Sequence, residues 1–408
     1  MKSPGIIRLM KPWLLGLAVL GSVRMAAADW PQFRGPQGNG ISKDTGVPAK
    51  LDLRSIAWAA DLPGRGLSSP IIIGDRVFVT CSSGRKQDRL HVICFNAADG
   101  TRRWQREFWA TGRTMSHEKT CVAAPTPASD GERIFALFSS NDLLCLDLDG
   151  NLLWLRGLTR DYPNASNSLG MSSSLTVADG VLIAMLENDS ESFTAGLDAA
   201  SGVNRWKLPR PKMANWTSPL LLSSPGAPTR VLLQSGKGIA AVEPRSGRMT
   251  WNYTDGASTI PSATVSDGIL FVPSHGITAL QPAADGDSPK QLWRSGQFRI
   301  ATASPVVLNH RLFTLNDAGV LTCGDATTGD RLWQLRLKGP FSATPVAAGA
   351  LLYCVSEKGL MQVVDTTAPE GAVTSEVDLG KTILSTPSIA HGAIYVRSDG
   401  KLWKLGKS

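Results

Sequence analysis

The sequence predicts an all-β protein, an eight-bladed β-propeller with four-stranded blades, from three observations. A Gly-and-Trp turn recurs along the chain, evenly placed Ser/Thr-Pro anchors open each unit, and an orphan strand near the N-terminus matches a gap at the C-terminal end. The turn has the form Asp/Ser/Thr-Gly-x-x-x-Trp, or a near variant, and returns every ~40 to 57 residues. It reads DGTRRW (Asp99 to Trp104), DGNLLW (Asp149 to Trp154), SGVNRW (Ser201 to Trp206), SGRMTW (Ser246 to Trp251), the looser DGDSPKQLW (Asp285 to Trp293) and TGDRLW (Thr328 to Trp333).

The anchors fix the blade count. Eight residues after each anchor stands an apolar residue of the second strand: Pro70 to Phe78, Pro127 to Phe135, Ser174 to Leu182, Ala263 to Phe271, Pro305 to Phe313, Pro345 to Tyr353 and Pro387 to Tyr395. Pro219 opens the fourth unit, whose turn is longer. Gly-containing pairs such as Asp179-Gly180 and Asp267-Gly268 suit the hairpins between, because Gly accepts positive φ. The eighth unit stops after three strands, whereas Ile56 to Leu62 is a lone strand whose Trp58 precedes Pro70 by twelve residues, the spacing of Trp251, Trp293 and Trp333 from their next anchors. The N-terminal strand therefore completes the last blade and closes the ring, removing a sheet edge. In the seventh blade Ser375 stands where the Trp belongs, so its outer strand is expected to pack poorly.

The recurring tryptophans, Trp58, Trp104, Trp154, Trp206, Trp251, Trp293 and Trp333, read as structural residues lying between neighbouring blades rather than as an active site. The residue a few positions earlier (Asn96, Asp147, Asp198, Glu243, Asp325, Asp365) falls at the end of the third strand, where its side chain can accept backbone N–H groups. Cys94, Cys145 and Cys323 share a third-strand position held elsewhere by Gly196, Ala241, Ala279 and Val363, a small buried slot that makes them inert core thiols. The pairing of Cys81, Cys121 and Cys354 is left open.

Residues 1–28 read as a secretory signal peptide, with Lys2, Arg8 and Lys11 before the apolar run Trp13 to Val23 and a small-residue cleavage site at Ala26-Ala27-Ala28 before Asp29. The run is about half the ~20 residues a spanning helix needs. The mature chain is expected to be a soluble monomer of the periplasm or exterior, without a transmembrane span. Cleavage removes four basic residues and no acidic one, lowering the formal charge from +8 to +4. No basic stripe with interleaved aromatics is present, which argues against a nucleic-acid partner. Residues 29–55 are expected to form an extended segment packed on the outside or base of the propeller, which occupies 56–408.

The blade signature, for example Gly196-Leu197-Asp198 followed by Ser201-Gly202 and Trp206, is similar to the tryptophan-docking repeat of the quinoprotein alcohol dehydrogenase-like superfamily, the pyrroloquinoline quinone (PQQ) repeats, over residues 56 to 405. WPQFRGPQGNGIS (Trp30 to Ser42) and His117 to Phe138 further resemble exported PQQ-like propellers related to the BamB outer-membrane assembly factor. The resemblance implies a non-enzymatic scaffold binding an envelope or outer-membrane protein. Its alternatives are a PQQ-dependent oxidoreductase acting on an alcohol or sugar, or a carbohydrate-binding propeller. No Cys-Cys pair and no matching Glu, Asn and Asp set carries over, so neither PQQ nor Ca²⁺ is expected, and no catalytic, cofactor or metal residues are assigned. The scattered His91, His117, His275, His310 and His391 lack metal-ligand spacing.

Propeller topology places the links between blades on one face with the turns joining second and third strands. The longest links, 109–122 and 159–171, carry the expected partner-binding residues Trp109, Arg113, His117, Glu118, Lys119, Arg160, Tyr162 and Asn164. Arg85, Lys86 and Arg89 belong beside them, with Glu187 and Asp189 from the acidic run Glu187 to Glu191.

Overall fold

Eight antiparallel four-stranded blades make up the computed structural model; blades one to seven run in chain order from innermost to outermost strand, and a short parallel strand is added to blade seven. The structure describes residues 29–406 except 166–168, 224–225 and 285. Residues 1–28, read above as a signal peptide, and Asp285 lie outside the described residues. Blades one to seven span residues 71–109, 128–157, 176–209, 220–253, 264–295, 306–336 and 346–378, and blade eight joins 388–405 to Ile56–Asp61. The N-terminal strand pairs antiparallel with Lys401–Leu405 and closes the ring. One anchor moves: in blade three Thr176 pairs with Ile183, so the counterpart of Pro70 is Leu175, one residue beyond Ser174.

The Gly-and-Trp turn holds adjacent blades together. In every blade the outer strand carries a bulge, and in blades one to six the tryptophan beside it lies directly opposite the small slot of the third strand. Trp104 opposes Cys94, Trp154 opposes Cys145, Trp206 opposes Gly196 and Trp333 opposes Cys323, so slot size is set by the ring that covers it. The ring then rests on the turn glycine of the next blade: Trp58 on Gly100, Trp104 on Gly150, Trp154 on Gly202, Trp206 on Gly247, Trp293 on Gly329 and Trp333 on Gly371. Those glycines have positive φ, and a Cβ on any of them would lie under 3 Å from the indole. The indole N–H of Trp58, Trp104, Trp154, Trp206 and Trp293 donates to a carbonyl of that neighbouring blade.

Most of the residues that end the third strands cap the turn as expected: Asn96, Asp147, Asp198, Asp325 and Asp365 accept backbone N–H groups two to four residues on. Glu243 instead accepts from the Ser246 hydroxyl and Arg248, its longer side chain reaching past the backbone. Blade seven corrects the expectation of a loose outer strand. Ala372–Asp378 pairs along its whole length with the third strand, and the Ser375 hydroxyl accepts the N–H of Leu51, which is buried in the same apolar cluster as Val363 and Val377. The N-terminal segment thus fills the missing tryptophan's place.

That segment is turn-rich rather than extended over 32–40, and it lies across the end of the central channel opposite the long links. Trp30 pairs with Ile72, Pro31 O accepts from Ser129, and the Gln32 carboxamide oxygen accepts from Thr176. Arg34 donates to Ala263 O and Thr264, Gly38 abuts Leu220, and Gly40 abuts Val306. Ile41–Ser42 adds a parallel strand to blade seven, and the Asp44 carboxylate accepts from Gly392 in blade eight. Fifteen residues therefore touch the inner strands or inner turns of all eight blades, and Phe33 forms part of the channel lining.

All six cysteines are buried and free. Burial pushes Cys94, Cys121, Cys145, Cys323 and Cys354 up to about 12. Three outcomes are expected. Native protein at pH 8 resists a thiol reagent that labels all six sites after denaturation. Because the folded thiols keep protons that the unfolded chain releases above pH ~9, unfolding free energy declines as pH rises from ~9 towards 12, read from denaturant melts. Trp206→Ala lowers unfolding free energy by about 3–5 kcal/mol, measured the same way.

Candidate interaction face

The face opposite the N-terminal plug is built from inter-blade links whose backbones are tied to blade two. Thr111 N–H and hydroxyl donate to the Asp142 carboxylate, Leu158 N–H donates to Asn141 O, and Met171 N–H donates to the Ser139 hydroxyl. The two long links meet where His117 N–H donates to Leu169 O, so they form one platform. Lys119 N–H donates to His117 Nδ1, and Arg65 donates to Glu118 O.

The predicted residues divide by burial. Trp109 is 61% exposed at the end of the blade-one outer strand, with the Arg89 guanidinium 3.6 Å from its ring centroid and Arg89 held by Glu107 at 2.6 Å. Arg113, His117, Glu118, Lys119, Arg160, Asn164 and Asp189 are also exposed. Met115 and Leu169, 53% and 44% exposed, join them as apolar members. Tyr162 is half-buried as a packing residue: its ring meets Phe193, Lys207 Nζ sits 4.1 Å from its centroid, and its hydroxyl accepts from Asn204.

Glu187 is a correction. It is fully buried and paired with Arg210, and it also accepts from Asn215 and Thr194, so it offers nothing to a partner. Burial pushes its carboxyl up while Arg210 and Asn215 pull it back down. Neighbouring Asn188 turns the loop inward by donating to Leu186 O and Glu191 O and accepting from Ser190 N.

Two features escaped sequence reasoning. Lys119 Nζ pairs with Glu357 of blade seven at 3.2 Å, across the channel mouth and 238 residues away, and Ser342 donates to the same carboxylate. Below it, hydroxyls tie the blades into a ring. Ser69 N–H donates to Thr126 Oγ1, Thr126 N–H to Ser174 Oγ, and so on through Ser218, Ser262, Ser304 and Thr344 to Thr386, at 2.9–3.1 Å. These are the residues preceding the blade anchors, so their signal lay in the Ser/Thr-Pro dipeptides. The ring is open between blades eight and one, where the buried Ser69 Oγ has no partner among the described residues.

One nucleophile-like contact is also present. Ser83 Oγ lies 2.7 Å from His91 Nε2, and Glu107 lies 3.8 Å from Nδ1. The Gln105 amide nitrogen, however, is 3.2 Å from Nδ1 because its oxygen is engaged by Arg102. That network makes Nδ1 an acceptor and leaves Nε2–H donating to Ser83, the tautomer that cannot take a serine proton. Burial also pulls the imidazole below its usual range.

Interlocking tryptophans, eight blades and a link-covered channel mouth define a PQQ-like repeat propeller. The model of the family described as outer membrane protein assembly factor BamB matches residues 51–170, 110–269 and 274–370, and the chain belongs to that family. It is 24% identical over 259 residues to a polyvinylalcohol dehydrogenase of Sphingopyxis sp. (strain 113P3), covering 51% of this chain and 38% of that protein. A polyvinylalcohol dehydrogenase of Pseudomonas sp is 24% identical over 239 residues, covering 48% and 35%. The chain thus spans less than two fifths of these relatives' length. BamB from Moraxella catarrhalis superposes with a TM-score of 0.62 at 16% identity over 86% of this chain and 96% of that one. Quinohemoprotein alcohol dehydrogenase from Comamonas testosteroni does so with 0.69 at 12%, over 93% and 81%. Both likenesses show the fold.

Glu187→Gln leaves the Arg210 charge buried without its counter-ion. It is expected to lower unfolding free energy by about 3–5 kcal/mol in denaturant melts, with Asp189→Asn unchanged as the exposed control.

Proposed function

We propose that this chain is an exported, monomeric, non-enzymatic propeller that binds an envelope protein through the link face over blades one and two, an assembly scaffold in the manner of its family. The observation that carries the reading is Trp109, an exposed aromatic braced by a stacked arginine on a rigid strand end. Trp and Arg dominate binding energy at protein interfaces, and preorganised side chains lose little entropy on docking. Met115 and Leu169 extend the apolar area, and Arg113, Glu118 and Arg160 supply a charged surround. Among the described residues no helix is long and apolar enough to cross a membrane.

The residues at the channel do not fit PQQ and Ca²⁺. A tricarboxylate quinone calls for several cationic donors; Lys119 is the one charged side chain on the hydroxyl-walled part of the channel among the described residues, and Arg65 and Arg397 at the mouth are already held by Asp399, Ser68 and Thr80 O. Calcium calls for several carboxylate or carbonyl oxygens converging on one point. Glu357 is committed to Lys119 and Ser342, Asp399 to Arg65 and Gly66, and Glu187 to Arg210. Among the described residues no group of three or more His, Cys, Asp or Glu is placed to hold a metal.

The likeness to polyvinylalcohol dehydrogenases favours a second reading, a PQQ-dependent oxidoreductase acting on an alcohol. A photo-crosslinking residue at Met115, compared with one at Asp267 on the plugged face, separates the two. The scaffold reading expects a discrete adduct with an envelope protein from Met115 only, at least tenfold weaker after Trp109→Ala. Saturable quenching of tryptophan fluorescence by PQQ with Ca²⁺, and no Met115 adduct, overturns it.

A further inference from the structure

The channel carries a chemistry that the link face does not use. Its cavity of about 200 Å³ is walled by the hydroxyls from Thr126 round to Thr386, all buried, above Phe33. Each of these oxygens already accepts a backbone N–H from the preceding blade. None donates its own proton to an acceptor among the described residues. An N–H bond into a hydroxyl oxygen polarises its O–H and strengthens what that proton can donate. The wall therefore presents a circle of polarised O–H donors. No carboxylate lines the hydroxyl-walled cavity among the described residues, and Lys119 stands at its mouth, paired with Glu357, whose carboxylate also accepts from the lining Ser342.

We propose that this channel is a receptor for a small oxyanion, bound on the axis by the hydroxyl ring with Lys119 closing over it. Donors that converge from all sides match a guest that only accepts. A neutral polyol would bring donors of its own to a wall whose oxygens have each given one of their two lone pairs to a backbone N–H, and so would use that wall less fully than a guest that only accepts. The volume falls below the ~300–1,000 Å³ of drug-sized ligand pockets, which limits the guest to a few heavy atoms. The plug makes the channel a cup, so entry is from the link face, where Lys119 stands beside Trp216 and Ile260.

Selenate serves as the probe, since it is a small oxyanion and its selenium is located by anomalous scattering. In crystals of the full mature chain soaked in sodium selenate, an anomalous peak is expected on the channel axis, with oxygens about 2.5–3.0 Å from ring hydroxyls. In solution, selenate at low millimolar concentration is expected to raise the melting temperature saturably, with ionic strength held constant by sodium chloride so that general salting-out does not contribute. Ser218→Ala with Ser262→Ala weakens the apparent affinity about tenfold or more, and Lys119→Met weakens it less. If the double variant does not fold, the crystal of the unmodified chain decides. Selenium found only outside the channel, or a selenate effect that does not saturate or does not exceed that of chloride, overturns the proposal.

Discussion

The structure depends on one contact repeated around a circle, an indole of one blade seated on the turn glycine of the next. A blade alone is a twisted sheet with two apolar faces, and neither can be buried without a neighbour. The tryptophan converts that need into a fixed geometry. Its ring covers a small residue in its own third strand, its N–H binds a carbonyl next door, and its flat face demands a residue without Cβ at positive φ. The three conditions explain why Gly, Trp and a small slot residue recur together in sequence.

Where the contact is missing, other parts substitute. Blade seven has Ser375, and Leu51 from the N-terminal segment supplies the apolar cover. The hydroxyl ring acts at a smaller radius, tying inner strands as the tryptophans tie outer ones. Only the hydroxyl ring is open where blade eight meets blade one, since Trp58 is seated on Gly100 there. The open ring position there coincides with a fully buried Arg397, which donates to Ser68, Thr80 O and Cys81 and so bridges the junction by another route.

Blade number, strand order and the closing strand were legible in the sequence because each is written in spacing along the chain. The surface was less so. Trp109, His117 and Lys119 fall on the expected face because topology dictates which loops share it. Glu187 does not, because an acidic run reads as solvated until its partners Arg210 and Asn215, 23 and 28 residues away, are seen to enclose it. The Lys119–Glu357 pair joins the first inter-blade link to a turn in blade seven, and no local pattern encodes such a meeting. The hydroxyl ring was half visible: its members stood in the anchor dipeptides, but their convergence follows from the curvature of the closed ring.

The position of residues 29–61 sets the order in which the fold can close. This segment precedes every blade, yet its partners in blades seven and eight come from the last sixty residues or so. Its contacts with blades one to six can form as those blades fold, whereas the parallel strand on blade seven and the closing strand of blade eight wait for the end of the chain. The seam in blade eight thus joins the two most distant parts of the described chain, and the loop-closure cost of that pairing falls on the step that completes the ring.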